Sequence, residues 1–199
     1  MTSAEAAPTR RERLILAGMK LFAERGFTGV GVREIGAEAG VSFGLIRRHF
    51  GSKEGLREEV EAHVLAQVEE LYSTISERSG TSALEHFVED VVEWIERDRD
   101  ALMYMRRAMV EQSPGSFKLF LRLVEVLRDF VAVNRERGFL QDGVDEEWAA
   151  MFLVFDFLGP AVVEPFAEEA FGRSMYERSM VERRNAFMKR MVTRGFLNA

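Results

Sequence analysis

Arg47, Arg48 and His49 stand in succession within Gly40-Val41-Ser42-Phe43-Gly44-Leu45-Ile46-Arg47-Arg48-His49-Phe50. A guanidinium presents its N–H donors in a flat fork that matches the paired acceptors of a phosphate or of a guanine edge. His49 adds a ring that can donate or stack, and Phe43 an apolar tip suited to a sugar or a thymine methyl. The chemistry on offer is recognition of a polyanion. The plainer alternative is two solvated arginines on a surface helix, with His49 packed on Phe50.

Other reactive patterns are missing. With no cysteine, thiolate metal sites, disulfides and cysteine nucleophiles are excluded together. The three histidines, His49, His63 and His86, lack the spacing of a zinc site. No Gly-Lys-Ser/Thr phosphate loop or GxGxxG occurs, and Gly51-Ser52-Lys53 lacks the upstream glycine of such a loop. Neither a metal, a cofactor nor an enzymatic activity is expected. Asp156 stands out as the sole charge between Trp148 and Val163. A carboxylate buried there must find a partner or keep its proton, and Arg183 or Arg184 could pair with it across a dimer.

The elements that must position these groups are helical. Beyond Pro8, apolar residues recur at helical spacing with no sustained strand-like alternation, which predicts an all-α chain of about nine helices. A first helix should stop near Gly26. Val32–Ala39 and Ser42–Phe50 then form two short helices turning at Gly40 and Val41, with Ser42 as the cap of the second. Ile35, Ala39, Ile46 and Phe50 face inward, leaving Phe43, Leu45, Arg47, Arg48 and His49 off the core-facing row. Ser52 should cap a long fourth helix with Leu56, Val60, Val64 and Leu71 along one face. Trp148–Val163 is apolar on nearly every side, and at 16 residues with a charge and a proline it is short for a membrane span. It reads as a helix buried on several faces. A last helix is expected over about Met175–Arg194.

The run Gly-Val-Ser-x-Gly-x-Ile-x-x-His-Phe-x-Ser-Lys-Glu-x-Leu at Gly40–Leu56 resembles the signature of the TetR family, and Leu21–Phe27 with Val32–Ile35 resembles that family's first two helices. Two positions depart from the pattern: Gly31 stands where a hydroxyl residue is usual, and Arg47 where tyrosine is usual. The resemblance implies a three-helix DNA-binding head on a helical body that binds a small molecule and dimerises through its last two helices. It implies DNA contact by Arg33, Ser42, Phe43, Gly44, Leu45, Arg47, Arg48, His49 and Lys53, with Arg33 and Lys53 gripping phosphates. The implied layout is a flexible tail over 1–9, a head over 10–55 and a body over 56–199.

The charge distribution agrees in sign. Residues 1–60 hold ten basic against eight acidic side chains, or +2, while the remainder holds 17 against 25, or −8. Affinity for nucleic acid follows local charge, so a net −6 does not exclude it. An apolar effector pocket could be lined by Met103, Met105, Met109, Phe120, Phe152 and Phe155, with His63 and Asp156 as its polar members, although ordinary core would use the same residues. A dimer face could use Phe157, Val162, Phe166, Tyr176, Met180, Arg183, Phe187 and Met191. The expected protein is a cytoplasmic homodimer that represses from a palindromic double-stranded DNA operator until a small, largely apolar effector binds. A DNA-organising protein without effector, a helical carrier and an enzyme are the alternatives.

Overall fold

A computed structural model of the chain describes residues 7–77 and 81–195. Of the expected tail, Ala7, Pro8 and Thr9 fall within them. Thr9 opens α1 (Arg10–Arg25): its hydroxyl accepts from the Glu12 amide at 3.2 Å, and the Glu12 carboxylate accepts from the Thr9 amide at 2.7 Å. This reciprocal pair satisfies two donors that a helix start leaves open. α1 ends at Gly26, whose φ of +76° suits glycine alone. A side chain there would also collide with Arg107 and Glu111 from the body.

Two short helices follow, α2 (Val32–Glu38) and α3 (Gly44–Phe50), then the long α4 (Lys53–Glu77). Ser52 caps α4, its hydroxyl accepting from the Gly55 amide at 3.0 Å. Leu14, Phe22, Ile35, Ile46, Leu56 and Val60 are almost wholly buried where α1 to α4 meet. Burying each such side chain stabilises by roughly 1.5–3 kcal/mol, which holds helices too short to persist alone. Gly18 lets α1 lie close on α4, since a Cβ there would sit 3.4 Å from Leu56 and Val60.

The body comprises α5 (Thr81–Arg97), α6 (Arg99–Glu111), α7 (Pro114–Glu136), α8 (Glu146–Phe171) and α9 (Arg178–Gly195). Ser113 caps α7 with Pro114 in its first turn, and Asp145 caps α8 by accepting from the Glu147 and Trp148 amides, each at 3.1 Å. α7 packs on α4 and α8, α5 on α4 and α9, and α6 on both α1 and α8. The body thus reaches the head by two routes, through α6 against α1 and along α4 itself. At 1.5 Å per residue, α4 spans roughly 37 Å.

Four expectations are corrected. α3 begins at Gly44 rather than Ser42, and α9 at Arg178 rather than Met175. α8 continues to Phe171 through Pro160 and Pro165, because packing on α6 and α7 outweighs the backbone bonds that two prolines remove. Nor is its apolar stretch buried on several faces: Trp148, Phe155, Val162 and Val163 are exposed. α8 is long and apolar enough to cross a membrane by length and composition, but 39% of that window is buried in the protein and it carries Asp156.

Candidate functional site

The crossing of α2 and α3 is set by Gly36. A Cβ at this position would lie 2.9 Å from both the nitrogen and the Cα of Phe43, so the two backbones nearly touch. The Val41 amide donates to the Gly36 carbonyl at 2.9 Å and closes the turn. Gly31 is the N-cap of α2, and the Glu34 carboxylate accepts from its amide at 2.7 Å and from Arg25 at 2.8 Å. The Gly31 amide, then Arg25, hold the Glu34 carboxyl below its ordinary value. Ser42 does not cap α3 with its side chain: Phe43 is the N-cap and makes no side-chain cap bond, while the Ser42 carbonyl accepts from the Leu45 amide at 3.0 Å. The tight Gly36 approach places Phe43, not Ser42, at the helix entrance.

α3 is anchored by Ile46, buried, and Phe50, half-buried, with Leu45 packed at the edge of the core. At about 100° per residue, Arg48 and Gly44 project roughly opposite that anchor, with Phe43, Arg47 and His49 on the flanks. All five are exposed, as are Arg33 and Ser42. Arg33 lies over the Phe43 ring, 5.5 Å from its centroid, so α2 and α3 contribute to one surface. His49 packs on Phe50 with ring centroids 5.9 Å apart and still reaches solvent.

Three other cations of the head are already paired. Lys20 reaches Glu38 at 2.6 Å, Arg25 reaches Glu34 at 2.8 Å and Arg11 reaches Glu59 at 2.7 Å. Arg33, Arg47 and Arg48 have no carboxylate partner among the described residues. All three arginines of α2 and α3 are therefore open to an external anion, as is the exposed Arg10 of α1. Lys53 is placed differently from the expectation: its ammonium donates to the Phe27 carbonyl and sits 4.2 Å from the Phe27 ring centroid, and burial pulls its pKa down. In this conformation Lys53 fastens the start of α4 to the α1–α2 turn rather than facing outward.

Within the body, a small cavity of about 20 Å³ is bounded by Tyr72 of α4, Trp94 of α5, Asp156 and Phe157 of α8, Tyr176, and Arg184 with Asn185 of α9. Val91, Ile95, Leu102 and Pro160 complete its apolar wall. Burial raises the Asp156 carboxyl, against the pull of Arg184, and lowers the Arg184 guanidinium. Burial, then Asp156, push the Tyr72 phenol up. Arg184 and Asp156 of one chain share this cavity, whereas Arg183 is exposed, so the pairing expected across a dimer is replaced by a neighbourhood within the protomer.

Of the expected effector residues only Asp156 lines this cavity. Met105 is buried core, while Met103, Met109 and Phe120 are half-buried against it. His63 is half-buried beside Gln67, 3.4 Å from its amide nitrogen. Phe152 borders an open depression with Trp148 and Val144, and Phe155 is exposed. Of the expected dimer residues, Phe157 and Tyr176 turn into the cavity instead, Phe157 packing between the Tyr72 and Trp94 rings at 6.2 and 5.2 Å. Phe166, Phe187 and Met191 are exposed by 77%, 61% and 55%, with Val162 and Arg183 exposed and Met180 half-buried. Asp156 apart, none of the residues lining this cavity was assigned to a pocket from the sequence, the polar Tyr72, Trp94, Arg184 and Asn185 among them. A tryptophan and an asparagine on otherwise apolar helix faces are the signal available in the sequence.

Residues 14–60 match the family described as bacterial regulatory proteins, tetR family. The HTH-type transcriptional regulatory protein RaaS of Mycobacterium tuberculosis is 27% identical over 146 residues, covering 73% of this chain and 66% of that relative, just short of two thirds of its length. A TetR transcriptional regulator from Chloroflexus aurantiacus superposes with a TM-score of 0.69 at 19% identity, covering 96% of this chain and 97% of that one. A regulator from Saccharomonospora viridis, solved in complex with choline, superposes with a TM-score of 0.65 at 18% identity, covering 95% and 98%. The structural likenesses are of fold.

Proposed function

We propose that this chain, a transcriptional regulator of the TetR family and not an enzyme, represses from a palindromic operator as a homodimer until a small effector with a largely apolar body occupies its C-terminal part. The observation that carries this reading is the exposed trio Arg33, Arg47 and Arg48, gathered on α2 and α3 without carboxylate partners among the described residues. Unpaired arginines on a short helix, next to an exposed aromatic tip, suit the floor and phosphate walls of a major groove.

In this reading residues 10–55 are the DNA-binding head and 56–199 the effector-binding and dimerisation body, working in the cytoplasm. Two copies meet through the exposed apolar stripe of α8 and α9, where Phe155, Val162, Phe166, Phe187 and Met191 have no cover within one chain. Two-fold symmetry then sets two α3 helices in successive major grooves, roughly 34 to 36 Å apart, and makes the operator palindromic. Release follows from α4, which touches the cavity through Tyr72 and the head through Lys53 and Arg57. A ligand that prefers a different setting of α4 weakens DNA binding by a coupling of roughly 1 to 3 kcal/mol.

The test is selection of bound sequences from a library of random duplexes with the purified full chain. Recovery of one palindrome, bound by two chains, is the expected result. Recovery of no enriched sequence at low and moderate salt overturns the reading.

A further inference from the structure

Four donor groups on residues that line the body cavity have no hydrogen-bond partner among the described residues: the Trp94 indole nitrogen, the Tyr176 hydroxyl, Nη1 of Arg184 and the Asn185 amide nitrogen. Trp94 and Asn185 are 98% and 99% buried, being 2% and 1% exposed. A buried donor left without an acceptor is costly, so four in one neighbourhood ask for an occupant. The charge is also incomplete. Arg184 donates from Nε to Asn185 Oδ1 at 3.3 Å, but no carboxylate of the described residues lies within ion-pair distance of it. Asp156 lines the same cavity without reaching it.

We propose that this cavity binds the carboxylate of a small monocarboxylic acid, held by Arg184, Asn185, Trp94 and Tyr176. One water has two lone pairs and leaves two of the four donors unmet; a carboxylate has about four acceptor sites on two oxygens and supplies the missing negative charge. A cationic ligand is disfavoured by the buried guanidinium, and a multiply charged anion by Asp156 alongside. The space of about 20 Å³ is that of about one water-sized group, so an acid's body enters only as the Tyr72 ring and the apolar wall move apart. That wall resists the acid's apolar part leaving, while burial keeps Asp156 from competing fully for Arg184. The assignment names the ligand class for the effector site proposed above and rests on that reading only for its effect on DNA.

Calorimetric titration of the full chain with acetate, propionate, butyrate and benzoate, each beside its neutral amide, tests it directly. At least one acid should saturate at one per chain below about 10 mM and bind at least about tenfold tighter than its amide. Arg184→Met should weaken that acid at least about tenfold. If this variant does not fold, Tyr176→Phe keeps the ring, removes only the hydroxyl, and should still weaken the acid severalfold while leaving the amide unchanged. Equal binding of acid and amide, no saturation by any acid, or unchanged affinity in the foldable variant overturns the assignment. A DNA-binding assay run alongside separates the two claims. An acid that binds without changing DNA affinity upholds the ligand class and removes its role as effector; an amide or a quaternary ammonium compound that releases DNA while no acid binds does the reverse.

Discussion

Arg57 of α4 donates from Nη2 to the hydroxyl of Ser113, the cap of α7, at 2.9 Å. The same guanidinium donates from Nε to Glu61 at 2.8 Å and lies 5.0 Å from the Phe27 ring centroid. Glu61 also accepts from the Tyr104 hydroxyl of α6 at 3.2 Å. One side chain thus ties the head's α1–α2 turn to α4, α6 and α7, and Gly115 leaves room for it, since a Cβ there would sit 2.4 Å from the guanidinium.

Because the Arg57 and Glu61 side chains are each only 12% exposed, removing one partner strands the other. Arg57→Met should destabilise the chain by about 3 kcal/mol, and Arg57→Met with Glu61→Met should recover most of that loss. Urea unfolding of the two singles and the double measures it. A double variant as unstable as the sum of the singles would deny the pairing.

Asp156 makes stability depend on pH. Burial raises its carboxyl above the ordinary 3.8, so the folded state holds the proton more tightly than the unfolded chain does. Its contribution is full below the unfolded value and is lost as pH rises through the raised folded value. Relative to the wild type, Asp156→Asn should therefore gain thermal stability between about pH 4 and pH 7, by a few degrees for each kcal/mol recovered. A melting-temperature difference that stays constant over that range contradicts the burial account.

Gly36 predicts a cost in the head alone. Its Cβ would meet Phe43 backbone, which cannot swing aside as a flexible side chain can. Gly36→Ala should destabilise by about 1–3 kcal/mol and weaken DNA binding beyond that loss, because α3 is displaced. Stability and DNA affinity equal to the wild type would mean the two helices have slack that the structure does not show.

The exposed stripe on α8 and α9 predicts assembly. Phe166 is 77% exposed in one chain. If two copies cover it, Phe166→Glu places a charge in an apolar interface and should raise the dimer dissociation constant at least about tenfold. Sedimentation velocity over a concentration series would show it, and a wild type that is monomeric throughout rules the interface out.

The sequence was most legible where structure is set by near neighbours. Gly26 as a stop, Ser52 as a cap, and the inward Ile35, Ala39 and Ile46 all follow from spacing over a few residues. Ser42 misled because its role depends on how closely Gly36 approaches Phe43, a contact between two helices. The cavity was legible only at Asp156. Its other polar members come from α4, α5, α9 and the turn before α9, and no local periodicity brings Tyr72, Trp94, Tyr176 and Arg184 together. Phe157 and Tyr176 likewise read as surface apolar residues until their neighbours were in place.

The central claim, that the unpaired arginines of α3 read DNA, is tested most directly by fluorescence anisotropy of the full chain on its selected duplex, with salt titration, beside Arg47→Ala and Arg48→Ala. The account predicts that each variant loses about 1–3 kcal/mol of specific binding if its arginine reads a base, or loses affinity on all duplexes with a shallower salt slope if it grips phosphate. Wild-type affinity, specificity and salt slope retained in both variants would contradict it.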